Sequence, residues 1–426
     1  MTATHPTTVR DRTGRPVELG LRENWAQFTL LVIVNACVGG LVGLERTTTP
    51  LIGTETFGLT NDLAVFSFII AFGLTKAVTN LAAGALTGRF TRKQLLLVGW
   101  LLGVPVPFAL AWAPGWGWIV AANVLLGLNQ GLTWSMTVNM KIDLVGPARR
   151  GLAVGLNEAA GYAAVGVTAL VTGYLATSYG LRPAPELLGV PFVVGGLALS
   201  LIVRDTAAHL ELELSQHPAP DGDAPGLAAT FRRTSWDDRS LRGVSQAGLV
   251  NNLNDGLTWG VFPLLFTDHG LGLAAIGLIK GLYPLLWGIG QIPTGQLADR
   301  WGRKPLIVAG MLLQAVGFVL ALVLLPHPLL AGIASSAALG VGTAMVYPAL
   351  IAAASDLAHP AWRANALGTY RFWRDVGYAA GALVAGIVAD LAGLNAAIIA
   401  AAVLTAVSGG LAAQWISESR PSPAHR

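Results

Sequence analysis

Apolar residues occur in twelve long runs that are separated by short polar segments along most of the chain. The runs lie near residues 25–50, 61–84, 95–112, 117–138, 151–177 and 187–203, and then near 244–267, 274–297, 305–325, 328–352, 365–390 and 394–416. A helix that crosses a bilayer needs about 20 mostly apolar residues, which is close to the usual length of these runs. The pattern predicts an all-α polytopic membrane protein with twelve transmembrane helices.

The composition agrees with a membrane protein and argues against several other classes. Of the 426 residues, 53% are hydrophobic and only 12% are charged, whereas a soluble domain averages about 25% charged residues. A net charge of +4, with basic residues scattered over short loops, does not indicate nucleic-acid binding. A single cysteine, Cys37, excludes a disulfide scaffold. All seven histidines fall in tails or predicted loops, so we expect no metal and no cofactor.

One long polar stretch divides the chain between the sixth and seventh runs. It contains a turn-rich segment of prolines, glycines and aspartates at 217–226, which is typical of a linker. Ser235, followed three residues later by Asp238, predicts a capping box that leads into span 7. The predicted organisation is a tail (1–24), a six-helix bundle (25–203), a linker (204–243), a second six-helix bundle (244–416) and a tail (417–426).

Basic residues are distributed very unevenly between the two sides of the membrane. If the N-terminus is inside, the tails and loops on that side hold 21 of the 27 lysines and arginines, and the opposite loops hold only Arg182. Short cytoplasmic loops carry such an excess in membrane proteins. We therefore expect a multi-pass protein of the plasma (inner) membrane with both termini in the cytoplasm. The polar first 24 residues contain no apolar core, so a cleaved signal peptide is not expected.

The two halves of the chain repeat each other at a nearly constant spacing. The segment 143–150 matches 356–363, and 169–173 matches 382–386, both at an offset of 213 residues. The segment 84–93 matches 295–304 at an offset of 211. Matches in the same order indicate parallel repeats, as in transporters whose two bundles are related by an axis normal to the membrane.

The loop between spans 8 and 9 carries the most specific motif. Residues 295–304 read GQLADRWGRK and resemble the loop signature of the major facilitator superfamily, which is Gly, three residues, Asp-Arg, one residue and Gly-Arg-Lys. With the spans, the linker and the repeat, the resemblance covers essentially the whole chain. It implies the fold of that superfamily and a secondary active transporter. The first-half copy departs from the signature, since Gly88 and Thr91 replace Asp and Gly.

Charged and glycine residues of these loops are candidates for a cytoplasmic gate, with fixation of topology and bundle stability as the alternative role. Asp143 and Asp356, at the ends of spans 4 and 10, are expected to pair with Arg92 and Arg303. Asp299 is expected to accept hydrogen bonds at a helix N-terminus. The candidate set is Arg89, Arg92, Asp143, Gly295, Asp299, Arg300, Gly302, Arg303 and Asp356.

Polar and ionisable side chains inside the spans are costly unless they face a cavity or a partner, so they are the candidates for the transport path. Span 11 is the richest, with residues 371, 374, 375 and 378 on one helical face. The candidates for substrate binding are Asn35, Arg46, Gln130, Trp134, Asn254, Lys280, Tyr347, Arg371, Arg374 and Tyr378. The candidates for carrying a coupling proton are Glu45, Glu158, Asp255 and Asp375.

The helical pattern gives further expectations about where these side chains point. Asn35 and Arg46 fall on one stripe of span 1, so both are expected to face the same side; the alternative is that the span ends at Leu44. Trp134 is the repeat mate of Tyr347, as Glu158 is of Arg371, which predicts one shared central cavity. Lys76 is expected to snorkel toward the membrane surface.

Four cationic side chains inside the spans favour an anionic solute: Arg46, Lys280, Arg371 and Arg374. We expect a transporter that moves a small polar, anionic solute by alternating access, coupled to protons. The alternatives are efflux of hydrophobic drugs by proton antiport and a membrane sensor that does not transport. No phosphate-binding Gly-Lys-Ser/Thr motif occurs, so the protein is not expected to be an ATPase or another enzyme. The expected partners are the solute, a proton and the bilayer, and the protein is expected to be a monomer.

The charge asymmetry predicts the topology of the chain. A periplasmic reporter fused after Gly115 or Leu329 should be active, because the adjoining outer loops lack basic residues. The same reporter fused at Gly222 should be silent, because the linker is cytoplasmic. Activity at Gly222 would contradict the two-bundle topology.

Overall fold

The computed structural model describes residues 16–87, 89–146, 150–216, 226–358 and 362–418, together with Val9 and Gly14. Within these ranges the regular elements are helices. The helices of the first half are α1 (Trp25–Gly43), α2 (Asp62–Leu86), α3 (Arg92–Gly103, continued as Val106–Ala111), α4 (Trp116–Val145), α5 (Arg150–Tyr179) and α6 (Gly189–Ile202, preceded by the turn Ala184–Leu187). The helices of the second half are α7 (Arg239–Asp268), α8 (Leu273–Trp301), α9 (Arg303–Val323), α10 (Pro328–Leu357), α11 (Arg363–Ala392) and α12 (Leu394–Trp415).

Ten of these helical segments, among the described residues, are long and apolar enough to cross a membrane. The other two, α4 and α7, are each 30 residues long but carry several polar side chains. Both helices are mostly buried, and their polar groups find partners inside the bundle. Gln314 of α9, for example, bonds both Asn251 and Asn254 of α7. Twelve helices in two bundles therefore give the predicted fold.

The first span is longer than one regular helix. After Gly43 the chain continues through a 3-10 turn, Leu44–Arg46, and further helical turns that end at Thr56. Residues 44–52 are buried throughout. The alternative in which span 1 stops at Leu44 is therefore wrong.

The linker contains two short helices, Ala207–Gln216 and Leu227–Arg232, and residues 217–225 between them lie outside the described part. The predicted capping box at Ser235 is wrong. Asp238 is the N-cap of α7 instead, and its carboxylate accepts hydrogen bonds from the backbone N–H groups of Ser240 and Leu241 at 2.9 Å each. Residues 233–237 form a wider helical turn, so the helix proper starts three residues later than that motif predicts.

The N-terminal segment, the linker and the C-terminal segment lie at one end of the bundle, here called the termini end. Gly20 donates its N–H to the carbonyl of Leu144 at the end of α4. Ser240, at the start of α7, donates to the carbonyl of Trp415 at the end of α12. The opposite end, where α2 begins and α11 finishes, is called the far end.

The two halves meet along α2 with α11 and along α5 with α8. Glycines allow the backbones of α5 and α8 to approach closely. A Cβ atom on Gly277 would lie 2.9 Å from the Cα of Gly173, and one on Gly281 would lie 2.6 Å from the carbonyl oxygen of Gly166. A side chain larger than hydrogen would separate the halves at these positions. The glycine contacts extend from the far end to about the middle, so the far end is closed.

Asp390 joins the halves at the far end. Its carboxylate accepts hydrogen bonds from the N–H of Asp62 at 2.7 Å, the N–H of Leu63 at 3.2 Å and the amide of Asn61 at 2.7 Å. The side chain of one half therefore caps the first turn of α2 in the other half, where the helix dipole favours an anion.

Removal of this cap should loosen the far end. A lost N-cap costs about 1–2 kcal/mol, which corresponds to a roughly 5–30-fold change in an equilibrium. In a Cys37→Ser, Ala385→Cys background, the cysteine introduced at the buried position 385 should react several-fold faster with a water-soluble maleimide after Asp390→Ala. Asp268→Ala, which removes an exposed acid at the same end, is the control. Equal labelling rates would show that Asp390 does not hold this end closed.

Candidate functional site

A narrow cavity lies between the two halves, next to the closed far-end packing and on its termini side. It contains about 280 Å³ of space between atoms. Five helices line it: α2, α4 and α5 from the first half, and α10 and α11 from the second half. The lining residues are Lys76, Asn80, Trp134, Ser135, Glu158, Tyr347, Arg371, Arg374 and Asp375.

Glu158 is the carboxylate on the α5 side of the cavity. Trp134 donates its indole N–H to one carboxylate oxygen at 2.8 Å, and Tyr347 donates its hydroxyl to the other at 3.2 Å. Trp134 and Tyr347 are repeat mates, and they meet at the shared cavity as predicted. Glu158 is 1% exposed and has no ion-pair partner among the described residues. Three neutral donors, including the amide of Asn157 at 3.3 Å, hold it in place.

Asp375 is the carboxylate on the α11 side, and several groups share it. Arg374 approaches one oxygen at 3.4 Å, and the ammonium of Lys76 lies 3.9 Å from the same atom. Asn80 donates to the other oxygen, and Ser135 donates to Asn80 at 2.7 Å. One carboxylate therefore faces two cations, one from each half.

Arg374 is almost fully buried and is held by aromatic groups as well as by Asp375. Its guanidinium donates to the hydroxyl of Tyr162 in the other half. The same guanidinium lies 4.3 Å from the ring centre of Tyr347, and Tyr162 stacks on Trp287. Cation–π contacts of this kind stabilise a desolvated guanidinium. Arg374 therefore acts mainly as a tie between α5 and α11.

Arg371 lines the same cavity and has a different environment. It is half-buried, and within the described part of the chain it makes no hydrogen bond and no ion pair. Its planar fork of donors matches a carboxylate or a phosphate. Arg371 is therefore the free cationic group of the cavity.

A second polar layer lies between the cavity and the far end. Arg46 of α1 binds Asp255 of α7 through both terminal nitrogens, the longer contact being 3.0 Å, and both side chains are 2% exposed. The guanidinium also lies 4.2 Å from the ring centre of Trp259. Lys280 donates to the carbonyl of Thr258 at 2.8 Å. These groups cross-link the halves and do not line the cavity.

Asn35 and Arg46 do not face the same side, so that prediction is wrong. Asn35 donates to the carbonyl of Asn157 at 2.7 Å and accepts from Thr137 at 3.0 Å, inside the first half. The stripe prediction assumed 3.6 residues per turn, but residues 44–46 form a 3-10 turn with three residues per turn. The tighter turn rotates Arg46 toward the second half.

Two further substrate-binding candidates also lie inside single halves. Gln130 donates to the carbonyl of Val38 at 2.9 Å. Asn254 donates to Gln314 at 2.9 Å and accepts from Thr405 at 2.8 Å. Tyr378, in contrast, lies between the two polar layers, with its ring centre 5.3 Å from the Lys76 ammonium and 6.0 Å from the Arg46 guanidinium.

Lys76 is a cavity residue that the sequence analysis missed. The expectation that it snorkels is wrong, because it is 5% exposed and its ammonium lies among Asp375 and three aromatic rings. The repeat contains a signal for it. At the offset of 211 residues its mate is Trp287, which stacks at the same site. Asn80 and Tyr162 were also missed, and neither is ionised at neutral pH.

The loop residues at the termini end form pairs within each half. Arg92 lies 2.9 Å from Asp143, and Arg303 lies 3.4 Å from Asp356, so both expected pairs are present. Gly302 has a φ of 103°, a conformation that favours glycine, where α8 turns into α9. Gly295 lies in the last two turns of α8, and Arg89 and Arg300 are exposed. Gly88 and the side chain of Asp299 lie outside the described part.

Comparison with known proteins identifies relatives among transporters. The chain is 25% identical over 403 residues to the "Uncharacterized MFS-type transporter YddS" of Bacillus subtilis, and the match covers 88% of each chain. It is 26% identical over 274 residues to a "Probable 4-methylmuconolactone transporter" of Cupriavidus pinatubonensis, covering 58% of this chain and 61% of that protein. A 66-residue segment, 14% of this chain and 16% of the relative, is 52% identical to "Multidrug resistance protein MdtH" of Yersinia enterocolitica.

The family assignment rests on both halves. The family model of the Major Facilitator Superfamily matches residues 28–240 and 244–426, which covers nearly the whole chain. The twelve helices, the parallel repeat and the cavity between the halves agree with that match. This multi-pass membrane protein belongs to the Major Facilitator Superfamily.

Proposed function

We propose that the protein is a secondary active transporter that binds a small polar anion at Arg371 in the central cavity. The observation that carries this proposal is the charge of the lining. Three cationic side chains, Lys76, Arg371 and Arg374, face two carboxylates, Glu158 and Asp375. Asp375 is shared by Lys76 and Arg374, so the guanidinium of Arg371 has no carboxylate of its own.

An unpaired guanidinium inside a membrane protein is costly, and an anionic ligand removes that cost. Insertion of an arginine at the centre of a membrane helix costs a few kcal/mol on translocon scales. A carboxylate or phosphate ligand would accept two parallel hydrogen bonds from Arg371 and would lie in the field of Lys76. The small volume of the cavity favours a solute of metabolite size.

The closed far end supports a transport cycle that alternates between two openings. The glycine contacts and the Asp390 cap seal one end, whereas the cavity lies beyond the last glycine contact on the other side. With the termini in the cytoplasm, as the basic loops predict, this conformation would exchange solute with the cell interior. A rocking motion of the two halves would then expose the cavity to the far side.

Glu158 is the carboxylate that we assign to proton coupling. It faces the cavity, it has no ion-pair partner within the described residues, and it accepts hydrogen bonds from both halves through Trp134 and Tyr347. Gain or loss of a proton at Glu158 would therefore change the contacts that join the halves at the cavity. Asp375, in contrast, is held by two cations, which disfavours its protonation.

Anion binding is tested by ligand-induced thermal stabilisation of the purified protein. We expect at least one member of a panel of small carboxylates and phosphates to raise the unfolding temperature. Arg371→Lys should weaken binding of that anion roughly 10–100-fold, because a charge-assisted bidentate hydrogen bond contributes about 1.5–3 kcal/mol. Arg371→Gln should weaken it further.

Arg89→Lys is the matched control, since Arg89 is exposed at the termini end. It should bind the anion like wild type. If Arg371→Lys also binds like wild type, the anion site is not at Arg371. If no anion stabilises the wild-type protein, the anionic substrate class is wrong.

Proton coupling is tested by Glu158→Gln in proteoliposomes, with the anion found above. Glutamine keeps the size of the side chain but cannot carry the proton. We expect exchange of labelled for unlabelled solute to persist, while accumulation driven by a proton gradient falls to the passive level. Glu55→Gln, at an exposed position, should retain both activities. Gradient-driven accumulation by Glu158→Gln would exclude Glu158 as the coupling group.

A second candidate function is efflux of hydrophobic compounds by proton antiport. The observation in its favour is the aromatic surface around the cavity, formed by Trp134, Tyr162, Trp287 and Tyr347. The short match to MdtH, a protein named for multidrug resistance, agrees with it. Ethidium efflux from whole cells distinguishes the two candidates, because an anion transporter would not lower cellular ethidium.

A further inference from the structure

Two glutamates are buried next to the second polar layer, away from the cavity. Glu45, in the 3-10 turn of span 1, and Glu186, in the turn before α6, are both 0% exposed. Asn123 of α4 donates to Glu45 at 2.8 Å, and Thr48 donates to Glu186 at 2.8 Å. The two carboxylates lie near enough to repel each other as like charges. They therefore form one acidic pair inside the first half.

This pair has no cation of its own. Neither carboxylate has an ion-pair partner among the described residues. The nearest guanidinium groups are engaged elsewhere, since Arg46 binds Asp255 and Arg182 donates to the carbonyls of Ala111 and Ala113. Two buried, unpaired carboxylates would cost far more than a folded domain can offset, so such groups normally become neutral.

The hydrogen bonds around the pair show too many acceptors and too few hydrogens. Oε1 of Glu45, Oε2 of Glu186, Oδ1 of Asn123 and Oγ1 of Thr49 are buried without a partner within the described residues. Ionised carboxylates only accept hydrogen bonds, whereas a carboxylic acid also donates one. A donor is therefore missing from this group of oxygens.

Thr48 gives the same indication. Its hydroxyl oxygen lies 2.8 Å from Glu186 and 3.3 Å from the carbonyl of Leu44. A hydroxyl has a single hydrogen, so it cannot donate fully to both acceptors. If Glu186 carries a proton and donates to Thr48, the hydroxyl hydrogen is free for Leu44, and both contacts are satisfied.

We propose that Glu45 and Glu186 form a buried proton-binding site in the first half, which holds at least one proton at neutral pH while the far end is closed. The site is separate from the cavity, and it adjoins the contacts that close the far end. The backbone carbonyl of Glu45 accepts the indole N–H of Trp259 from the other half at 2.9 Å, and the next residue, Arg46, holds Asp255. Opening of the far end would admit water to this layer and allow the proton to leave.

The test is infrared spectroscopy of the purified protein without solute, so that its outcome does not depend on the proposed anion or on Glu158. Exposed acids are ionised at neutral pH and give no carboxylic-acid band. We expect wild type to show a carbonyl band of a neutral carboxylic acid that disappears at strongly alkaline pH. The double variant Glu45→Gln, Glu186→Gln should lose most of that band, and each single variant should reduce or shift it.

Glu55→Gln is the matched control, because Glu55 is an exposed acid of the same span. It should leave the band unchanged. A band of equal size in the wild type and in both single variants would show that the pair is ionised, and the proposal would be wrong. Replacement of choline by Na⁺ distinguishes the remaining alternative: if Na⁺ converts the acid band to carboxylate bands, the pair is a sodium site rather than a proton site.

Discussion

The buried ion pair of Arg46 with Asp255 is the interaction on which the closed conformation depends. Removal of one partner from such a pair typically costs 3–5 kcal/mol, because the other charge remains buried and unpaired. The halves therefore cannot separate at this depth until water or another group replaces the lost partner. The glycine contacts of α5 with α8 keep water out, and the dry surroundings strengthen the pair. Packing and electrostatics thus stabilise the same state.

The cavity layer follows the same physical rule with the opposite balance. In the Arg46 layer each charge that spans the halves has a partner, whereas in the cavity Asp375 serves two cations and Arg371 has none. The last close glycine contact, Gly288 against α5, lies just before the cavity. Beyond it the backbones separate enough to leave space for a ligand. A site for a charged solute therefore forms where close packing stops and charge pairing is incomplete.

Much of the fold was predictable, because twelve apolar runs and a constant repeat offset constrain it strongly. The cavity was predictable where the signal was an ionisable residue at a repeat position, as for Glu158 and Arg371. Lys76 was missed because a long side chain near a span end can either reach the surface or turn inward, and only the packing decides. Arg46 was misoriented because a 3-10 turn interrupts the helical period. Glu186 was missed because it precedes the apolar run of span 6.

The repeat explains why acid and base functions occur together in the cavity. Trp134 and Tyr347 occupy equivalent positions, yet both donate to Glu158, the carboxylate of the first half. The equivalent position in the second half is Arg371, which cannot accept those hydrogen bonds. Since the donors of both halves are used on one side, the guanidinium on the other side is left free. A difference in charge sign at one repeat position therefore creates both a carboxylate that links the halves and an open site for an anion.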